Sequence, residues 1–169
     1  QGSCLDGSSH WNACPTGNGN KSNADDFGFV EAMTNEILSQ YNVDMERIYA
    51  AGYSNGGMMA YGLANYKSEL IAAVGSISGS MLDCTGPTSH PMPVIHLHGT
   101  SDGVLPYNGS SDWNSAQSTL DHWINFNNTV LTPTVTIDNN IEHYVYDQGD
   151  SSVSVEHYKY IGGDHVWFS

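Results

Sequence analysis

Basic residues are scarce in this sequence. Its 169 residues contain four lysines and arginines against 18 aspartates and glutamates, which gives a formal net charge of -14 and a pI near 4.5. Phosphate backbones and anionic lipid surfaces repel such a chain, so we expect neither nucleic acid nor a membrane as a partner. No run of about 18 apolar residues is long enough to span a bilayer. This acidity is typical of a protein that stays soluble in salt water or outside a cell, and we predict an extracellular, secreted protein.

Cysteine is scarce as well, with only Cys4, Cys14 and Cys84. Three cysteines permit at most one internal disulfide, and without a close C-x-x-C pair a zinc site is not expected. Cys4 and Cys14 lie in an opening segment that builds little core of its own, so we predict a Cys4–Cys14 bond. The chain also lacks an initiator methionine and a charged, apolar leader, which suggests a processed or truncated product.

Glycine is abundant, and one serine between glycines stands out. Residues 47–60 read as a buried strand, a tight turn and the start of a helix, with Ser54 at the turn of a G-x-S-x-G pattern from Gly52 to Gly56. A chain with 18 glycines often matches this pattern by chance, so the context carries the argument. In that context the two glycines let the backbone reverse and push the hydroxyl outwards, and the positive end of the helix favours an oxyanion. Ser54 is therefore the candidate nucleophile.

The segment before this turn predicts a loop and a helix. Residues 1–22 read as a loop in which Trp11 either anchors onto the core or forms one wall of a substrate cleft. A helix follows, with an N-cap at Ser22 and two acidic residues, Asp25 and Asp26, at its positive end. Its predicted apolar face consists of Phe27, Val30, Met33, Ile37 and Tyr41.

The rest of the chain alternates strands with helices. Continuous apolar runs at residues 70–77 and 93–98 are typical of strands covered on both faces. Residues 115–126 read as an amphipathic helix, and the tail after residue 134 reads as two or three strands. The pattern predicts a single α/β domain with a mostly parallel sheet flanked by helices.

A nucleophilic serine needs a base and a carboxylate that orients the base. In a parallel sheet both are expected from loops at the carboxyl ends of strands. Asp102 follows the strand at residues 94–98, and His165 follows the last strand. We predict that they are the acid and the base, in the chain order Ser, Asp, His that is typical of α/β-hydrolases.

Two further histidines offer a competing interpretation. His96 and His98 lie two residues apart on a strand, hence on one face, and with Asp102 they could form a metal-dependent hydrolase site. The spacing provides no third cluster of ligands. Hydrogen-bonded structural histidines are favoured, and no metal or cofactor is predicted.

Taken together, these segments resemble the secreted esterases of the polyhydroxybutyrate depolymerase and feruloyl esterase type, a branch of the α/β-hydrolases. The most specific matches are Ser-Asn-Gly-Gly-Met from Ser54 and His-Gly-Thr-Ser-Asp from His98, the latter continuing to Pro106 and Tyr107. The resemblance implies that Ser54 is the nucleophile, Asp102 the acid and His165 the base, and that the N–H of Asn55 is one oxyanion donor.

The sequence departs from the family at both ends. Family members carry several strands and a glycine-rich loop before the matched region, and that loop supplies the second oxyanion donor. They also continue beyond the last residues of this chain with a final helix. We therefore expect residues 1–169 to form a single but partial α/β-hydrolase domain that lacks the N-terminal strands and the final helix.

The leading hypothesis is a serine esterase that works through an acyl-enzyme on Ser54 and needs no cofactor. Its substrate is a small or polymeric ester of the feruloyl, acetyl, short-chain acyl or polyhydroxyalkanoate kind. Three aromatic residues are candidates for an acyl or aryl pocket, although each also suits core packing: Trp11, Tyr53 and Trp167. The alternative hypothesis is a non-catalytic module with a degenerate hydrolase fold that binds a polysaccharide or a polyester.

Overall fold

A six-stranded sheet organises the part of the chain that the computed structural model describes, residues 9–16 and 20–168. The strands lie in the order β1-β2-β3-β6-β5-β4. The first four of these run parallel, and β5 and β4 continue the sheet in antiparallel fashion. The elements are α1 (Asp26–Gln40), β1 (Tyr49–Tyr53), α2 (Asn55–Tyr66), β2 (Ala73–Ile77), β3 (Val94–Gly99), α3 (Ala116–Phe126), β4 (Thr134–Asp138), β5 (Ile141–Tyr146) and β6 (Val155–Tyr160), with one-turn 3-10 helices at Met45–Arg47, Ser68–Leu70 and Asp150–Ser152.

The predicted α/β fold with a mostly parallel sheet is confirmed, and the tail contains three strands. Its last strand, β6, lies between β3 and β5, and it joins the β4–β5 hairpin at the edge to the parallel part of the sheet. Because β1, β3 and β6 are parallel, the loops that follow them emerge at the same edge. Those loops carry Ser54, Asp102 and His165.

The core lies between one face of the sheet and the helices α2 and α3. These two helices share that face, since the rings of Tyr61 and Trp123 stack 6.2 Å apart. Both side chains are fully buried, as are Met92 and Leu120. The opposite face is more open: Ile95 of β3 is 37% exposed, so the prediction of coverage on both faces is wrong at this residue. The predicted burial of β1 is also wrong, because none of its residues is fully buried.

Helix α1 forms where predicted but begins and packs differently. Its N-cap is Asp25, whose Oδ1 accepts a hydrogen bond of 2.8 Å from the N–H of Gly28. The predicted cap, Ser22, instead accepts a hydrogen bond from the N–H of Ala24. Asp26 is buried and accepts a hydrogen bond of 2.8 Å from the N–H of Asn12. The acidic pair at the start of the helix thus ties the helix to the opening segment.

Only part of the predicted apolar face of α1 is buried. Phe27 is buried and Val30 packs against the core, whereas Met33, Ile37 and Tyr41 are 44–66% exposed. The helix and β1 border an open groove of about 610 Å³, into which Met33 and Ile37 face. Among the described strands β1 has a neighbour on one side only, so nothing described covers this groove.

The predicted Cys4–Cys14 bond is wrong, because Cys14 is bonded to Cys84, 70 residues away. Cys4 lies outside the described residues. The opening segment folds back over α2 so closely that a Cβ on Gly62 would collide with the carbonyl oxygen of Ala13. Cys14 is thereby brought to the loop after β2, and the disulfide fastens the opening segment to the core. Within the described ranges, no helix is long and apolar enough to cross a membrane.

Candidate active site

Ser54 occupies a sharp turn between β1 and α2. Its backbone has φ 53° and ψ -120°, a conformation that residues with a side chain rarely adopt. The turn is held by two backbone hydrogen bonds, from Ser54 N–H to the carbonyl of Ile77 at 2.8 Å and from Met58 N–H to the carbonyl of Ser54 at 3.1 Å. The serine is therefore presented at the start of a helix, beside N–H groups that have no partner within the helix.

The tight approach of helix to strand depends on particular glycines. A Cβ on Gly52 would overlap the carbonyl group of Gly56, and a Cβ on Gly57 would overlap the hydroxyl of Ser76. Gly56 itself has open space in the Cβ direction. The prediction that glycines on both sides are needed is therefore confirmed for Gly52 and wrong for Gly56, and Gly57 is the additional requirement.

Ser54, His165 and Asp102 form a hydrogen-bonded line. His165 Nε2 lies 2.9 Å from Ser54 Oγ, and His165 Nδ1 lies 2.8 Å from Asp102 Oδ2. The three side chains come from residues far apart in the sequence and meet at the carboxyl ends of β1, β3 and β6. Since the carboxylate accepts the Nδ1 hydrogen, the lone pair of Nε2 faces the serine hydroxyl. In this arrangement the imidazole is oriented to take a proton from Ser54.

Asp102 is buried and held by several donors. Its Oδ1 accepts hydrogen bonds from the N–H groups of Val104 at 2.9 Å and Leu105 at 2.8 Å. Burial raises the pKa of this carboxyl, but the hydrogen bonds from His165 and from the two amides outweigh burial and hold its pKa below the usual value. Asp102 is therefore ionised at neutral pH.

The loop that carries His165 is tied to both neighbouring loops. The N–H of Ser101 donates to the carbonyl of Gly163 at 2.8 Å, and a Cβ on Gly99 would overlap that same carbonyl group. The hydroxyl of Tyr53 donates to the carbonyl of His165 at 2.9 Å, and that of Ser78 to the carbonyl of Val166 at 3.0 Å. These contacts fix the backbone on both sides of the imidazole.

Of the predicted pocket residues, Tyr53 and Trp167 form a row of rings that begins at His165, whereas Trp11 contacts the site through its backbone. The ring of Tyr53 lies 5.0 Å from the imidazole of His165 and 6.4 Å from the ring of Trp167, which is 59% exposed. Trp11 reaches the site through its backbone: its N–H donates to Asn55 Oδ1 at 2.6 Å, and its carbonyl accepts from Asn55 Nδ2 at 3.0 Å. The side chain of Asn55 thus holds the opening segment, while its N–H lies in the first turn of α2.

The histidines of β3 are hydrogen-bonded and buried, as the structural interpretation predicted. Tyr61 Oη lies 2.7 Å from His96 Nδ1, and His96 Nε2 lies 3.2 Å from His98 Nδ1. His98 Nε2 lies 2.9 Å from the carbonyl oxygen of Leu105 and 3.2 Å from Asp102 Oδ2. Burial lowers the pKa of both imidazoles. Across the described residues, no cluster of three or more His, Cys, Asp or Glu side chains is arranged to hold a metal ion.

Sequence reasoning missed two contacts in this region. It grouped His96 and His98 with Asp102 only as possible metal ligands and did not predict a contact of His98 with the acid of the triad, and it assigned Tyr53 to a pocket without its bond to His165. The spacing of the two histidines could have indicated that they face the same layer as Tyr61. Their approach to Asp102 depends on the turn at residues 99–105, whose path no local pattern specifies.

Comparison with known proteins points to esterases. No family model matches the chain. It is 34% identical over 82 residues to a bifunctional acetylxylan esterase/xylanase of Neocallimastix patriciarum, 31% identical over 87 residues to feruloyl esterase C of Emericella nidulans and 33% identical over 108 residues to feruloyl esterase B of Piromyces equi. These alignments cover 48%, 52% and 59% of this chain but only 12%, 32% and 19% of the three relatives. The chain thus spans about a third or less of the length of these relatives.

Solved structures show the same fold. The acetyl xylan esterase from Aspergillus awamori superposes with a TM-score of 0.70 at 18% identity, over 93% of this chain and 68% of that one. Esterase PE8 superposes with a TM-score of 0.55 at 16% identity, over 82% and 52% of the two chains. The fold is of the α/β-hydrolase type. The named relatives support the esterase part of the predicted resemblance, and its polyhydroxybutyrate depolymerase part stays a prediction.

Proposed function

We propose that this chain carries the catalytic residues of a serine carboxylic ester hydrolase. The observation that carries the proposal is the line of two hydrogen bonds, 2.9 Å and 2.8 Å, that joins Ser54 through His165 to Asp102. Ser54 is the nucleophile, His165 the general base and Asp102 the residue that orients His165. On this proposal residues 1–169 form a single, partial hydrolase domain, and the acidic composition together with the resemblance of its motifs to secreted esterases supports an extracellular location.

The arrangement supports a two-step reaction without a cofactor. His165 Nε2 removes the proton of the Ser54 hydroxyl while Oγ attacks the ester carbonyl, and the tetrahedral intermediate places its oxyanion beside the N–H of Asn55 at the positive end of α2. His165 then donates the proton to the leaving alcohol. Water, activated by the same imidazole, releases the acid from the acyl-enzyme. The ionised Asp102 stabilises the imidazolium that forms in each step.

The surroundings favour an ester with an apolar or aromatic acyl group. Tyr53 and the exposed Trp167 form an aromatic wall that begins at His165, and the half-buried Trp11 is held next to the serine by the hydrogen bonds of its backbone with Asn55. The names of the relatives indicate feruloyl and acetylxylan esters. We propose feruloyl or acetyl esters, on small molecules or on polysaccharides, as the substrate class.

The test is hydrolysis of a p-nitrophenyl ester series and covalent labelling by a fluorophosphonate probe. Ser54→Ala should abolish both, whereas Ser39→Ala, which changes an exposed serine of α1, should leave both unchanged. Circular dichroism and urea unfolding should show that all three proteins are folded. Labelling that persists in Ser54→Ala would contradict the assignment, and a folded parent protein that neither hydrolyses esters nor reacts with the probe would favour a binding module instead.

A further inference from the structure

A chain of buried polar side chains ends at Asp102 and plays no part in the reaction as described above. It runs from Tyr61 on α2 through His96 to His98, both on β3. The exposed fractions of these side chains are only 1%, 0% and 2%. Burying three polar groups costs free energy unless each is hydrogen-bonded, so the direction of every bond in the chain matters.

The direction of the chain follows from its last acceptor. The carbonyl oxygen of Leu105 has no hydrogen to donate, so the His98 Nε2 that lies 2.9 Å away must carry one. Burial lowers the pKa of His98 and keeps the ring neutral, so its Nδ1 is an acceptor. His96 Nε2 must then carry a hydrogen, which leaves His96 Nδ1 to accept from the hydroxyl of Tyr61. Each group thus sets the tautomer of the next.

The line of hydrogen bonds ends beside the carboxylate of Asp102. His98 Nε2 donates its hydrogen to the carbonyl of Leu105 and lies 3.2 Å from Asp102 Oδ2, the same oxygen that accepts from His165. The N–H of Leu105 in turn donates to Asp102 Oδ1. His98 therefore holds Asp102 directly and also through the Leu105 peptide.

We propose that His98 is a positioning residue for the Ser54–His165–Asp102 line, and that Tyr61 and His96 act on the line by fixing the tautomer of His98. This inference rests on the proposed function. It assigns His98 no contact with substrate: the imidazole keeps Asp102 Oδ2 aimed at His165 Nδ1, and so keeps the lone pair of Nε2 on Ser54.

A second chain of the same kind provides an internal control. The hydroxyl of Tyr107 lies 2.9 Å from His157 Nε2, and His157 Nδ1 donates to the backbone carbonyl of His96 at 2.9 Å. By the same reasoning this chain begins with a tyrosine hydroxyl and passes through a neutral, buried imidazole. It ends on a backbone carbonyl and not on Asp102. Loss of its hydroxyl perturbs the same layer of the structure without removing a donor from the chain that reaches the carboxylate.

The predicted tautomers can be observed without any assay of activity. The ¹⁵N chemical shifts of the imidazole rings, measured by NMR on the ¹⁵N-labelled protein, distinguish protonated from unprotonated nitrogens. Single replacements of each histidine assign the signals. We expect hydrogen on Nε2 of His96 and His98 and on Nδ1 of His157. A hydrogen on Nδ1 of His98 would leave Nε2 without a hydrogen to donate towards Leu105 and Asp102, and this result would overturn the proposal.

The functional test compares tyrosine and histidine variants by their rate of fluorophosphonate labelling and by kcat and KM for p-nitrophenyl acetate. Tyr61→Phe should slow labelling about fivefold, as expected for the loss of one neutral hydrogen bond, and Tyr107→Phe should leave the rate unchanged. His98→Leu, which removes the donor to a charged group, should slow it about 10- to 100-fold. His98→Gln, whose amide offers a donor and an acceptor, should recover part of the loss. The effects should fall on kcat and leave KM unchanged.

The outcomes separate this inference from the proposed function. If the parent protein is not labelled at Ser54, the proposed function fails, and the positioning role fails with it whatever the tautomers are. If the parent is labelled but Tyr61→Phe and Tyr107→Phe behave alike at matched stability, Ser54 remains the nucleophile and the role of His98 is overturned. Should His98→Leu fail to fold, the comparison of the two tyrosine variants still decides.

Discussion

At the scale of single residues, the site depends on an unfavourable backbone conformation at Ser54. A residue with a side chain at φ 53° and ψ -120° costs about 1–3 kcal/mol, and it persists only where its surroundings hold it. Here the hydrogen bond to Ile77 and the close contact between β1 and α2 do so. The geometry of the nucleophile is therefore as sensitive to the neighbouring glycines as to the serine itself.

Gly52→Ala and Gly56→Ala form a matched pair that tests this dependence. The methyl group on Gly52 would overlap the carbonyl of Gly56 and force the helix away from the strand, so we expect a loss of about 1–3 kcal/mol in the free energy of unfolding and at least tenfold slower labelling of Ser54. The methyl group on Gly56 meets open space within α2 and should stabilise the protein by about 0.5–1 kcal/mol. Urea unfolding and probe labelling measure both effects. Equal losses in the two variants would contradict the packing argument.

The surroundings of Ser54 show which features of the site can be predicted from the sequence. The G-x-S-x-G pattern predicts a strand, a turn and a helix around Ser54, and these are present. It does not reveal that Gly57, outside the pattern, faces Ser76, because Ser76 comes from a strand about 20 residues further along the chain. The positions of Asp102 and His165 near Ser54 could be predicted, because loops at the carboxyl ends of parallel strands meet at one edge of the sheet. The contact of His98 with Asp102 could not, since it depends on the fold of a turn.

At the scale of elements, α1 shows the difference between an apolar pattern and a buried surface. Spacing along the helix correctly predicts that one face is apolar. Burial also requires a neighbouring element, and the described part of the chain provides one for Phe27 but leaves Met33 and Ile37 at the open groove. The single sequence contains the periodicity of a helix but no information on which surface will face it.

Two phenylalanines two positions apart on α1 turn this difference into a measurement. Phe27 is 8% exposed and its ring packs edge-on against Tyr66 at 5.7 Å, whereas Phe29 is 51% exposed. Phe27→Ala should lower the free energy of unfolding by about 3–5 kcal/mol, because it leaves a cavity in the core. Phe29→Ala should lower it by about 1 kcal/mol or less, since the lost contact is chiefly the one with Trp11 at 6.3 Å. Urea denaturation of the chain, with its disulfide intact, gives both values.

A large loss in Phe29→Ala would indicate that the exposed surface around Phe29 is covered in solution, by another copy of the chain or by further protein. Sedimentation of the same samples distinguishes a dimer from a monomer. A small loss in Phe27→Ala would contradict the placement of α1 against α2.

At the scale of the whole molecule, two sets of titrating groups respond to acid in opposite directions. The net charge of -14 repels itself, so protonation of surface carboxylates relieves repulsion as the pH falls. His96, His98 and His157 are buried as neutral rings, and burial lowers the pKa of each, that of His157 to about 4. In the unfolded chain these imidazoles titrate near pH 6.5, where most carboxylates are still ionised.

The pH dependence of stability should therefore reveal the buried histidines between pH 7 and pH 5. Because the unfolded state binds more protons than the folded state in this window, the free energy of unfolding is highest above pH 6.5 and falls as the pH drops towards 4. A shift of the pKa of His157 from about 6.5 to about 4 corresponds to a loss of about 2 kcal/mol between pH 7 and pH 5.

His157→Gln supplies the control, since its amide can donate to the carbonyl of His96 and accept from Tyr107 but does not titrate. The difference between the two proteins, measured by urea unfolding at each pH, removes the common contribution of the surface carboxylates. We expect the parent to lose about 2 kcal/mol more than the variant between pH 7 and pH 5. Parallel pH profiles would mean that His157 is as easily protonated in the folded protein as in the unfolded chain, which its 2% exposure and its donor bond to His96 contradict. Because its Nδ1 already carries a hydrogen, a second proton on Nε2 would make the buried ring a donor at both nitrogens, and the hydroxyl of Tyr107 would have to turn from donor to acceptor.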